Sequence, residues 1–149
     1  METTPELYAT FQQKMQRIAD VKNANNVLQW DQETYLPQKG TTLRGQQIST
    51  LSEIAHRLFS EKSLEGLMHD LMSKEDLSKE EKRNVELTLE DFDKNKKYTS
   101  DFVRRLSDQV NKTFYAWTLA REKNSFSFFE NIVVSISKFI DLLLRRTIQ

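Results

Sequence analysis

Leu28-Gln29-Trp30-Asp31-Gln32-Glu33-Thr34-Tyr35-Leu36-Pro37-Gln38-Lys39-Gly40 separates two stretches that each repeat apolar residues at helical spacing. Pro37 pushes Leu36 out of the helical region, and Gly40 supplies a flexible turn. One helix must therefore close before this break and another open after it. Upstream, Thr4 suits an N-cap and Pro5 the first helical position, where no N–H is needed. Leu7, Phe11, Met15, Ile18 and Leu28 then form one stripe, which predicts a helix from Thr4 to about Trp30. Downstream, Leu43, Gln47, Leu51, Ile54, Ala55 and Leu58 predict a second helix, from Thr41 or Thr42 to about Ser60.

The same reading extends to the end of the chain. Ser63 caps a short third helix carrying Leu64, Leu67, Met68, Leu71 and Met72. Ser78-Lys79-Glu80-Glu81 is a capping box that starts a fourth, with Val85, Leu89 and Phe92 on its buried side. Thr99 or Ser100 caps a fifth, with Val103, Leu106, Val110, Phe114, Trp117 and Ala120, and Asn124-Ser125 ends it. A sixth runs from about Ser127, and its Ile132, Val133, Ile136, Ile140, Leu143 and Leu144 make a wide apolar surface that asks for neighbours on most sides. Glycine occurs three times and proline twice in 149 residues, so long helices with short connections are favoured. The only β-rich run, Ile132-Val133-Val134, lies inside a helical period. The expected class is all-α: about six helices, mostly antiparallel, forming one domain or part of a larger one.

Lys+Arg and Asp+Glu number 22 each, and a neutral chain has no electrostatic reason to bind nucleic acid or an anionic membrane. No cysteine is present, which excludes disulfides and thiolate metal sites. The opening METTPELYAT has neither the basic nor the apolar region of a signal peptide, and a cytoplasmic location is expected. Ile132 to Leu144 is too short for a membrane span and is interrupted by Ser135, Ser137, Lys138 and Asp141.

Chemistry-bearing motifs are sparse. H-E-x-x-H, the helical zinc motif, does not occur, and the histidines are His56 and His69 alone. Glu53-Ile54-Ala55-His56 has the spacing of one half of a di-iron site, which needs two such motifs; the expectation is two neighbours on a solvated face. His69 with Glu65 reads as a surface pair. No G-x-S-x-G occurs, and Gly40, Gly45 and Gly66 stand alone, so no phosphate-cradling loop is formed. Trp30, Tyr35, Phe114, Tyr115 and Trp117 read as core rather than as a ligand platform. Phe126-Ser127-Phe128-Phe129 staples the last turn. Within 28–40, Trp30 is expected to anchor the turn to the core, and Asp31 to accept from backbone N–H groups there.

Taken together, these segments carry a resemblance. Trp30, Asp31, Thr34, Pro37 and Gly40 match the W-D-x-x-T-x-x-P-x-x-G/A signature of the carboxypeptidase Taq family. Arg44, Gln47, Leu51 and His56 fit its R-x-x-Q-x-x-x-L-x-x-x-x-H pattern. Leu77-Ser78 with Glu80-Glu81-Lys82 resembles its L-S-x-E-E-K start. Ala116-Trp117, Ala120-Arg121 and Asn124 with Phe126 resemble A-W-x-x-A-R-x-x-N-x-F. The resemblance covers nearly the whole chain in order and fades after about Leu144. It implies the N-terminal region of a larger helical, zincin-like fold with a deep substrate groove, often homodimeric. It also implies a cytoplasmic zinc (or other divalent-metal) carboxypeptidase that removes C-terminal residues from peptides. The family's H-E-x-x-H lies downstream of the matched region, so no catalytic or metal-binding role passes to any residue here. No cofactor is expected in this chain itself. The signature turn (Trp30, Asp31, Thr34, Pro37, Gly40 and Arg44) is read as structural, with a place beside the groove as the alternative. The expected partners are the remainder of such a peptidase, or a second copy through the last helix. The chain alone is expected to be inactive; a helical interaction protein derived from the fold is the alternative.

Overall fold

The structure, a computed structural model, describes residues 3–147, with the side chains of Asn131, Ser135, Phe139 and 142–147 left out of the description. Six helices occur in that span: α1 (Thr4–Thr34), α2 (Thr41–Phe59), α3 (Lys62–Met72), α4 (Lys79–Asn95), α5 (Ser100–Glu122) and α6 (Ser127–Thr147). A single 3-10 turn, Gln38–Gly40, sits between the first two, and no strand occurs among the described residues. The all-α expectation holds.

Side-chain pairing fixes the directions. Along α1 and α2, Arg44 meets Leu28, Ser52 meets Asn25, and Glu61 just past α2 meets Lys14. Along α2 and α5, Gly45 meets Asn111, Ser52 meets Ser107, and His56 meets Ser100. Residue numbers rise on one helix as they fall on the other in both cases, so α2 runs antiparallel to α1 and to α5. The N-terminal half of α1 packs instead against α3, and α3 against α4; α6 packs on α5. The main core lies in that first group: Phe11, Ile18, Leu64, Met68, Leu71, Val85 and Phe92 are buried together.

Helix ends follow local chemistry, with four shifts from the sequence reading. α1 is capped by Thr3, whose N–H and hydroxyl both donate to Glu6 at 2.8 Å; Thr4 already lies in the helix, and its hydroxyl reaches Asp76 at 2.7 Å. The far end of α1 continues to Thr34 rather than stopping near Trp30. A proline constrains only the residue before it, so nothing prevents helix at 31–34, and the Asp31 carbonyl still accepts from Tyr35 and Leu36 at 3.0 Å. α3 is preceded by an extended Glu61, not capped by Ser63, because the Ser63 hydroxyl and the Lys14 ammonium both turn to the Glu61 carboxylate. Gly40 has φ −83°, so its role is not a left-handed turn; a Cβ there would lie 3.0 Å from Leu36 Cδ1, a tight contact that the leucine side chain would have to yield to. Elsewhere the reading is met: Ser78 and Glu81 exchange both bonds of a capping box at 2.9 and 3.2 Å, Thr99 caps α5, and Asn124 adopts φ 48° where α5 ends.

The α2 stripe is rotated from its expected face. Ile48, Ser49, Ala55, His56 and Phe59 are buried, whereas Leu43 is 62% exposed and Gln47 is exposed. A helix held between two neighbours buries the face shared by both, and α2 lies between α1 and α5. On α5, Val110 and Trp117 of the expected stripe are exposed, and on α6 so are Val133 and Ile140 of the expected surface, together with Val134. Leu143 and Leu144 lie outside the described side chains.

Candidate functional site

The signature turn closes the α1–α2 corner through one ion pair. Arg44, in the first turn of α2, donates to the Asp31 carboxylate and, at 3.3 Å, to the Leu28 carbonyl; its Nε donates to Gln47 Oε1 at 3.0 Å. Both partners are half-buried, so each guanidinium bond is less screened than a surface pair. The Asp31 carboxylate was expected to accept from backbone N–H groups of the turn; its backbone carbonyl does that, and the side chain binds Arg44. Helical geometry explains this: Asp31 still lies in α1, where its side chain points off the helix surface towards α2.

Trp30 does not anchor the turn in the core. It is 57% exposed, and its ring meets Tyr35, itself 75% exposed, edge-on at 5.6 Å. Tyr115 and Trp117 are exposed too, so among the five aromatics read as core only Phe114 is half-buried. Position 30 falls opposite the stripe that faces α2, and large rings there have no neighbouring helix to cover them. The Thr34 hydroxyl donates back to the Trp30 carbonyl at 2.8 Å, and Pro37 is exposed ahead of the 3-10 turn. The structure thus joins Asp31 with Arg44 and Trp30 with Tyr35. Thr34 borders a pocket on the inner side of α1; Trp30, Asp31, Pro37, Gly40 and Arg44 do not line it.

That inner side is where α1 and α5, on either flank of α2, leave a groove. Ile48 and Ser52 form part of its floor; Gln32 and Glu33 wall it from α1, and Val110 and Phe114 from α5, around a cavity of about 330 Å³. A second cavity of about 220 Å³ continues it towards Leu36, Gln38 and Glu122. Polar side chains run through it: Asn25 Nδ2 donates to Ser52 at 3.0 Å, the Ser52 and Ser107 hydroxyls lie 3.3 Å apart, and Gln32 reaches Asn111 at 3.5 Å. Asn25 Oδ1 and Gln32 Oε1 are buried with no hydrogen-bond partner. The sequence reading quoted Gln32 only within the 28–40 break and gave none of these polar side chains a role. A signal existed: Phe11, Ile18, Asn25 and Gln32 recur every seven residues, so the stripe of α1 turns polar halfway along.

The histidine motifs resolve differently from expectation. His56 is buried rather than solvated, with Nδ1 3.1 Å from the Ser100 hydroxyl and Nε2 3.4 Å from the Asn95 carbonyl. Glu53 pairs instead with Arg104 at 3.3 Å, and Glu65 with Lys96 rather than His69. Among the described residues, no three His, Asp or Glu side chains gather so as to hold a metal ion. No described helix is long and apolar enough to cross a membrane.

Comparison with known proteins adds the following. The family model described as carboxypeptidase Taq (M32) metallopeptidase matches residues 10–143. The chain is 27% identical over 128 residues to Thermostable carboxypeptidase 1 of Pyrococcus furiosus, covering 84% of this chain and 26% of that protein. It is similar to the crystal structure of an M32 carboxypeptidase from Deinococcus radiodurans R1, at 31% identity and TM-score 0.72, over 94% of this chain and 28% of that one. The crystal structure of BsuCP shares the fold at TM-score 0.88 and 24% identity, over 94% and 28%. The chain spans about a quarter of the length of the curated relatives it matches.

Proposed function

The chain belongs to the carboxypeptidase Taq (M32) family of metallopeptidases, and from that premise we propose that it acts as the N-terminal helical region of a metal-dependent carboxypeptidase. In this reading the whole enzyme, cytoplasmic and zinc-dependent, removes C-terminal residues from peptides, and these 149 residues form one helical unit that contributes a wall to its groove. The observation that carries the reading is the family match from residue 10 to 143, on a fold whose α1, α2 and α5 leave a groove walled by both apolar and polar side chains. The metal and the general base come from outside these residues, since H-E-x-x-H is absent from the sequence. What this chain supplies is position: the Asp31–Arg44 pair fixes the angle between α1 and α2, and so the width of the groove.

The test is direct. The purified chain, with excess Zn²⁺, is expected to release no C-terminal residue from a peptide and to bind no stoichiometric zinc by calorimetry. Zinc-dependent release by the chain alone would overturn the reading. A second reading, a helical interaction protein that pairs through its last helix, draws on the exposed Val133, Val134 and Ile140 of α6. A coding frame that continues beyond Gln149 into H-E-x-x-H supports the first reading; self-association in sedimentation, with no such frame, supports the second.

A further inference from the structure

We propose that a pocket between the start of α2 and the middle of α5 binds a free α-amino acid in its zwitterionic form. The cavity is about 240 Å³, small for a drug-sized ligand, and lies on the outer side of the α2–α5 contact. Thr42 and Gln46 line it from α2; Asp108, Lys112 and Tyr115 line it from α5.

The charges carry the argument. Asp108 and Lys112 stand at i and i+4 on one helix, a spacing at which opposite charges normally meet. On the same helix, Asp101 and Arg105 have that spacing and pair at 3.0 Å. Asp108 and Lys112 form no ion pair with each other or with any described residue, and both border the cavity. A carboxylate and an ammonium are therefore left side by side at the rim of a small pocket.

A ligand bearing one charge gains from one of these groups and is repelled by the other. A neutral ligand gains from neither. An α-amino acid carries both signs on adjacent groups, so its carboxylate can meet Lys112 while its ammonium meets Asp108. The Thr42 hydroxyl and the Gln46 amide make no hydrogen bond with any described residue and can complete those contacts. The Tyr115 ring, 40% exposed, offers an apolar wall for the ligand side chain. Lys112 is exposed and Asp108 half-buried, so solvent screens the pair and places the affinity in the millimolar range. The inference rests on this pocket alone and stands apart from the peptidase reading.

The experiment is an amide-resolved NMR titration of the full chain with L-leucine, L-leucinamide, which lacks the carboxylate, and N-acetyl-L-leucine, which lacks the ammonium. L-leucine is expected to give saturable shifts centred on Thr42, Gln46 and Lys112, with each analogue about tenfold weaker or more, the factor that 1.4 kcal/mol represents. Asp108→Asn and Lys112→Gln are each expected to reduce L-leucine affinity by a similar factor. Both sites are on the surface, and circular dichroism melting checks that the fold is kept. Equal binding of all three compounds, no saturable shift with L-leucine, or unchanged affinity in both folded variants would overturn the proposal.

Discussion

The two halves of α1 face different kinds of interior. Phe11 and Ile18 enter a dry cluster with Leu64, Met68, Leu71, Val85 and Phe92. One and two heptads further on, Asn25 and Gln32 occupy the same stripe and enter a polar groove with Ser52, Ser107 and Asn111. One helix thus supplies a packed core at one end and an incompletely satisfied polar seam at the other. The difference teaches where stability resides and where the interior is left incompletely satisfied. Apolar burial rewards close packing without regard to direction, whereas buried polar groups repay their desolvation only when each finds a partner. Two acceptors in the seam have none.

The sharpest way to break this comparison is to cut into the dry half. Leu71 is 0% exposed, and Leu71→Ala is expected to cost about 2–5 kcal/mol in urea denaturation, from lost burial and the cavity left behind. If the cost stays within the range of a surface substitution, this cluster is not the stabilising core. Next in size is the α1–α2 corner. Arg44→Ala removes its bonds to Asp31, the Leu28 carbonyl and Gln47, and about 1–3 kcal/mol is expected to be lost, with amide exchange rising first at residues 28–44. Exchange that rises uniformly instead would show that the pair does not act locally.

The seam should answer in the opposite sense. Asn25 is 8% exposed and leaves Oδ1 unpaired, so Asn25→Leu is expected to be neutral or to stabilise by about 1 kcal/mol, because an unsatisfied buried acceptor is removed. A loss as large as that of Leu71→Ala would mean that the seam is a fully satisfied network, and the contrast would fail. The smallest effect concerns the cap of α1. Hydrogen bonds from the Thr3 backbone and hydroxyl hold the Glu6 carboxyl below its ordinary value. A group depressed in the folded state contributes above its unfolded pKa and ceases to do so as pH falls through its folded one. Protection of the Thr3 amide is therefore expected to be full at neutral pH and to be lost only as pH falls below the ordinary glutamate range, and Glu6→Gln should remove that dependence.

Much of the architecture was legible in the residues. The capping box at Ser78, the stripes of α3 and α4, the helix end at Asn124 and the break at Pro37 are local signals, carried by nearby side chains, and each appears as read. Less of the site was legible. Position 44 was singled out for its place in a family pattern, yet its partner Asp31 lies thirteen residues away across a turn. The expected core role of Trp30 failed because apolar character alone does not say whether a neighbour arrives to cover a ring.

The sequence by itself determined the class, the number of helices, most of their ends and the family, because these rest on periodicity, capping chemistry and the order of short motifs. Only the tertiary structure decided which face of α2 is buried, that His56 is enclosed while Trp30 and Tyr35 are not, and that Asn25, Gln32, Ser52, Ser107 and Asn111 share one groove. Those outcomes depend on two neighbours, α1 and α5, meeting α2 from different sides. A single helical stripe cannot encode which of its edges a distant helix will cover.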